Sequence, residues 1–219
     1  MTSHNVFTSG SMRLGTAAAV VAGALMLASC AGGAPADPGT ASPAATESVS
    51  SRPTATPTPT PSAVYKPADA SGPAQNVPVP VLPEAAKTET KEGAEAFTRY
   101  WFEQLNYAYQ TGDIRGVQAV TSPSCEYCGN ITDSLTTNYQ ENRWLAGGRI
   151  TVPAATTTFE RSPDGNYQVV IQVLQDTISY HQANGSEFRA ATQPSNTGNV
   201  LLVGFHDSAW RVNGLHPLR

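Results

Sequence analysis

The chain has 219 residues, 13 Lys/Arg against 17 Asp/Glu, a formal net charge of −4 and three cysteines. Its charges are interspersed and form no basic stripe, which argues against nucleic acid as a partner. Composition divides it: 12 of the 17 prolines lie between residues 31 and 86, and 15 of the 17 aromatics lie from Phe97 onward.

At the N-terminus a single cation, Arg13, precedes the uncharged run LGTAAAVVAGALMLAS, which ends at Cys30. A short basic region, an apolar stretch and small residues at the cut are the pattern of an export signal. A membrane-spanning helix needs about 20 apolar residues. This run is shorter and leads directly into AGGAPADPG, so removal is expected rather than retention. Leu27, Ala28, Ser29 and Cys30 resemble the lipobox of bacterial lipoproteins. The resemblance implies a signal peptide over residues 1–29, cleavage before Cys30 and lipidation of its sulfur. The membrane is then a partner through Cys30, with the protein on the extracytoplasmic side. Two or more acyl chains give durable attachment, at about 0.8 kcal/mol per buried methylene.

Residues 30–86 are read as the lipidated cysteine plus a disordered linker. The stretch from Ala31 is rich in Pro, Thr and Ala, and Tyr65 is its sole aromatic. A segment with so few bulky apolar groups cannot offset the entropy of ordering. The repeat TPTPTP favours polyproline II, and the whole is expected to act as a tether.

Residues 87–219 are read as one domain, since about 130 residues can bury close to ~70% of their unfolded surface. Ala94, Phe97, Trp101, Leu105 and Ala108 recur at helical spacing. Thr90 is placed to cap that helix and Gly112 to end it. Asp113 predicts the cap of a second, short helix through Val120. The stretch GNITDSLTTNYQENRWLAGG predicts a third, stopped by Gly147 and Gly148. Beyond Gly148 the pattern becomes β: RITVPAATTTF, the turn SPDGN, the long run YQVVIQVLQDTISYHQ, the turn ANG, then SEFRAAT, NVLLVGF, the turn HDSA and WRVNGL. Three N-terminal helices followed by an antiparallel meander predict an α+β fold with the helices packed on one curved sheet.

That order of elements, ending in WRVNGL, resembles the NTF2-like (cystatin-like) cone fold. The stretches AEAFTRYWFEQLNYAYQTGD, SPSCEYCGNI and WLAGGRITV are similar to an uncharacterised family of actinobacterial secreted lipoproteins, a domain of unknown function. The resemblance implies a fold and an envelope location and supplies no activity. By fold analogy it also implies a homodimer through the sheet face.

Cys125 and Cys128 form a C-x-x-C pair. A reactive thiol needs nearby cations or a helix N-terminus, but Glu126 lies between these two and positions 116–142 hold no Lys, Arg or His. Zinc needs four ligands, and only the scattered His181, His206 and His216 could complete a set. In an oxidising compartment such a pair is expected as a disulfide fixing the turn between helices two and three. No cofactor fingerprint is present. For acid–base chemistry the candidates are Asp176, Tyr180 and His181, with Tyr100, Tyr139 and the pair His206–Asp207 behind them. Two functional classes remain: a non-catalytic envelope module binding a small apolar ligand or a neighbouring protein, and a pocket enzyme using an internal acid–base pair. The module is the expected one.

Overall fold

The computed structural model describes residues 63–218. The signal segment, Cys30 and residues 31–62 lie outside the described residues.

The first helix, α1, spans Lys91–Thr111. Thr90 caps it by accepting from the Gly93 N–H at 3.0 Å. At its end Gly112 takes φ 74°, a left-handed conformation that glycine adopts freely, and its N–H closes on the Ala108 carbonyl. The face anticipated from spacing is the buried one: Ala94, Phe97, Trp101, Leu105 and Ala108 are all at most 2% exposed. Asp113 begins α2, Arg115–Ala119, by accepting from the Arg115 N–H at 3.0 Å. Helix α3 covers Glu126–Asn138.

Seven strands follow: β1 Trp144–Gly147, β2 Ile150–Thr156, β3 Asn166–Gln175, β4 Ile178–His181, β5 Glu187–Thr192, β6 Ser195–His206 and β7 Ala209–Pro217. They form two antiparallel sheets, one of three strands in the order β1-β4-β5 and one of four in the order β2-β3-β6-β7. This corrects the expectation of three helices packed on one curved sheet. Helix α1 crosses both sheets, touching β1 in the smaller and β2, β3, β6 and β7 in the larger, while α3 touches β7 and α2 packs on α1. The physical reason is a corner that the strand pattern does not announce. The pairing Ile150↔Gln175 on one side is followed by Gly147↔Ile178 on the other. Between them Gly147 and Gly148 adopt φ 76° and 68°, and Asp176 and Thr177 leave the strand conformation. The long run from Tyr167 to Gln182 is therefore two strands in two sheets.

Two further expectations change. The third helix stops at Asn138, because Glu141 and Asn142 take left-handed φ of 57° and 58°, and Trp144–Gly147 become a strand. Part of the segment read as disordered linker, residues 63–86, is described and packed on the domain, as shown below.

The core joins α1 to the larger sheet. Trp210 of β7 stacks on Phe97 at 6.1 Å and meets Phe205 and Tyr167 edge-on at 4.9 and 5.6 Å. Truncating a core aromatic of this kind to Ala costs about 3–5 kcal/mol. Every tryptophan also uses its indole N–H to pin a connecting segment. Trp210 donates to the Thr88 carbonyl at 3.1 Å, before α1. Trp101 donates to Thr121 Oγ1 at 2.8 Å, between α2 and α3. Trp144 donates to the Asp69 carbonyl at 2.8 Å, in the N-terminal segment. Buried indoles need a partner, and here each partner lies in a connecting segment.

Candidate functional site

Residues 63–83 form a strap laid over the C-terminal half of α1. Its first part is a small loop in which Lys66 and Gln75 exchange backbone hydrogen bonds of 2.9 and 3.0 Å, with Asp69 and Gly72 paired inside at 3.1 and 3.2 Å. The Asp69 carboxylate accepts from the Ser71 hydroxyl and from the Ser71 N–H, and these bonds hold its pKa below the usual carboxylate range. The loop tip docks between Trp144 and the β4–β5 turn. At Gly185 of that turn a Cβ would stand 2.6 Å from the Ala70 carbonyl, so the approach needs glycine. Farther along, Tyr65 donates its hydroxyl to Gln110 Oε1 at 2.6 Å, and Gln104 Nε2 donates to the Pro80 carbonyl at 3.4 Å.

Under the strap runs a groove of about 580 Å³. That is within the range of roughly 300–1,000 Å³ typical of small-molecule sites. The strap contributes Tyr65, Pro67, Pro78 and Pro80; α1 contributes Glu103, Tyr107 and Gln110; the β1–β2 corner contributes Gly148 and Arg149. The relation of helix to corner is fixed by Asn106, buried at 7%, which donates to the Ile150 carbonyl at 2.8 Å and accepts from its N–H at 2.7 Å. A side-chain amide thus pairs like a strand residue. Burial pushes the Tyr109 hydroxyl above its ordinary pKa. Behind it, burial pushes Tyr139 up to about 12, and its hydroxyl donates to the Tyr109 carbonyl at 2.6 Å.

The structure does not bring together the residues weighed for catalysis. Asp176 is exposed at the sheet corner, where its N–H donates to the Arg149 carbonyl at 2.9 Å. Tyr180 is buried, shares a 2.7 Å hydrogen bond with Thr192 Oγ1 and lies under the Arg189 guanidinium at 4.1 Å. His181, 5% exposed, stacks on Trp144 at 5.6 Å, and its Nδ1 is 3.0 Å from the Gly185 carbonyl. A carbonyl can only accept, so Nδ1 carries the proton. His181 shapes the turn against which the strap docks. The Tyr100 hydroxyl accepts from Gln104 at 2.7 Å. His206 and Asp207 are exposed, and Asp207 and Ser208 carry the left-handed φ of a tight hairpin.

Cys125 and Cys128 are joined by a disulfide at the start of α3, and both are buried, at 3% and 2%. Beside it lies a second cavity of about 300 Å³, lined by Thr121, Ser122 and Thr132 among others. Among the described residues no three His, Cys, Asp or Glu side chains gather as metal ligands.

Sequence reasoning missed the strap. Its apolar residues Tyr65, Val77 and Leu82 were the available signal, set against prolines that pointed to disorder.

Among solved structures, the chain is similar to the intermembrane space region of the chloroplast protein ARC6, at 15% identity and TM-score 0.42, covering 59% of this chain and 96% of that one. It is also similar to an uncharacterised protein with a cystatin-like fold from Caulobacter vibrioides, at 13% identity and TM-score 0.37, covering 58% and 91%. A third, Aln2 from a Streptomyces species, has 10% identity and TM-score 0.33, covering 58% and 89%. No curated protein matches the chain. A family model described as a family of unknown function, DUF6318, matches residues 63–216, a span that begins with the strap and runs nearly to the end of β7. The chain belongs to that family of unknown function.

Proposed function

We propose that this chain is a lipoprotein, anchored through Cys30 on the extracytoplasmic side of the membrane, that presents a non-catalytic binding module. Its ligand site is the groove between the strap and α1. The carrying observation is that groove: about 580 Å³, walled by tyrosine and proline, under a strap tied to the domain by hydrogen bonds from Trp144, Tyr65 and Gln104. A wall of aromatic and apolar surface with a few polar groups is the usual make-up of a small-ligand site. The hydroxyl of Tyr180 and Nδ1 of His181 are engaged with Thr192 and Gly185, which suits structural roles. The signal-like N-terminus and the sequence Leu27-Ala28-Ser29-Cys30 support the anchor. Among the described residues no helix is long and apolar enough to cross a membrane.

The groove is tested with the neutral fluorophore N-phenyl-1-naphthylamine, titrated against the mature chain and against Ala68→Trp, which places an indole where the half-buried Ala68 lines the groove. Saturable binding that the variant loses is expected; equal response from both proteins refutes the site. The anchor is tested by Cys30→Ala, which should move the protein from the membrane fraction to the soluble one.

A further inference from the structure

The groove is walled by tyrosine and proline, but two charges of opposite sign also line it, Glu103 on α1 and Arg149 at the β1–β2 corner. The ion pairs of the described residues are Lys87–Glu84, Arg115–Asp113, Arg143–Glu141 and Arg161–Glu89, and neither groove charge takes part. The side chains of Glu103 and Arg149 make no hydrogen bond to any described residue either. The fold places both on the same groove. Glu103 precedes Asn106 by one helical turn, and Asn106 grips both backbone groups of Ile150, the residue after Arg149. Even so, they do not reach each other.

The strap adds a third feature. Val77 and Val79, two residues apart, have no backbone hydrogen bond to any described residue, and they alternate with Pro78 and Pro80. Val77 lines the groove. Val77 and Val79 each precede a proline, which favours extended backbone, and free amide groups at alternate positions of such a segment are an edge to which another extended chain can pair.

We propose that the groove binds a short zwitterionic peptide in extended form. Its carboxylate pairs with the Arg149 guanidinium, its ammonium with the Glu103 carboxylate, and its apolar or proline side chains rest on Tyr65 and Tyr107. The guanidinium fork suits a carboxylate, which it can engage through two parallel N–H donors. Tyrosine faces with flanking prolines accept apolar and proline side chains without requiring a fixed hydrogen-bond pattern. A neutral apolar ligand would use neither charge. A peptide supplies a partner for each, and backbone groups for the strap besides. This inference rests on the groove being the ligand site.

The test is a calorimetric titration of the mature chain with the tetrapeptide Lys-Ala-Pro-Ala, its C-terminal amide, and its form acetylated on both amines. The free peptide is expected to bind about two- to fivefold more tightly than either blocked form, one solvent-exposed ion pair being lost in each. Arg149→Gln should bind the acid and the amide equally, and Glu103→Gln should bind the free and acetylated peptides equally. Both residues are exposed, so neither change threatens folding. Binding without these preferences, or no binding up to millimolar peptide while N-phenyl-1-naphthylamine still binds, overturns the peptide inference and leaves the groove as the ligand site. Loss of both probes overturns the groove itself.

Discussion

Trp144→Phe separates the strap from the rest of the fold. The indole N–H donates to the Asp69 carbonyl at 2.8 Å, and the ring stacks on His181 at 5.6 Å with an interplanar angle of 24°. Phenylalanine keeps the stack and deletes the donor. A net hydrogen bond is worth about 1 kcal/mol, and Asp69 is exposed, so its carbonyl regains water and the cost stays near that value. The smaller ring also gives up two buried carbons, about 1.6 kcal/mol at ~0.8 kcal/mol each. Global stability should therefore fall by about 2.5 kcal/mol in urea denaturation. The hydrogen-bond share acts on the strap alone. Amide exchange at Lys66 and Gln75, whose N–H groups close the strap loop, should accelerate by at least about fivefold, the equivalent of ~1 kcal/mol. The amides of β3 and β6 should follow global stability only. Unchanged exchange at Lys66 and Gln75 would show that the indole does not hold the strap.

Three other substitutions test separate parts of the fold. Gly93→Ala, which helix propensity favours by about 1 kcal/mol, should destabilise instead, because the new Cβ would lie 2.1 Å from the Thr88 carbonyl; thermal denaturation gives the sign. Thr98→Val should stabilise by about 1 kcal/mol, because Thr98 Oγ1 is fully buried in α1 without a hydrogen-bond partner and valine keeps its shape. A lowered melting temperature would mean that the hydroxyl has a partner. Replacing Cys125 and Cys128 together with Ser should cost about 2 kcal/mol in the chain-entropy account of so small a ring. The intact oxidised protein should be two protons lighter than the reduced one and inert to thiol reagents.

How much of the fold the sequence reveals depends on how local the cause is. Helix α1 is legible from end to end, since its cap, its apolar face and its terminating glycine lie within 23 residues, Thr90 to Gly112. The turns SPDGN, ANG and HDSA are legible for the same reason. The corner between the sheets is not. Strand periodicity continues through Asp176 and Thr177, and only the partner strand, with Gly147 and Gly148 in left-handed conformation, shows why the chain leaves the sheet there. The strap is hidden by a different cause. Proline content measures a segment's inability to form its own ladder, and the strap is ordered by donors and acceptors from elsewhere: Trp144, Gln104 and Gln110, contributed by β1 and α1. The catalytic candidates rest on residue type, and the structure adds the partners that residue type cannot show. Tyr180 and His181 are adjacent in sequence, yet each is engaged by the neighbouring strand or turn.

The groove follows from the corner. Helix α1 has 21 residues and is about 31 Å long. Its first half is covered by Trp210 and the larger sheet. At Gly147 the strands turn away, held through the bend by Gly148 N–H to the Thr177 carbonyl at 2.8 Å and Asp176 N–H to the Arg149 carbonyl at 2.9 Å. Toward the C-terminal end of α1 the strap joins β1 and the start of β2 in covering the helix. Gly147→Ala is therefore a test of the site as well as of the bend. Its φ of 76° costs an alanine about 1–2 kcal/mol, and the added Cβ would stand 2.3 Å from the Thr177 carbonyl, so the two strands must part. A destabilisation of about 3 kcal/mol is expected, together with weakened binding of N-phenyl-1-naphthylamine under conditions where the protein remains folded. If stability falls and binding holds, the groove does not depend on the corner, and the strap alone determines its shape.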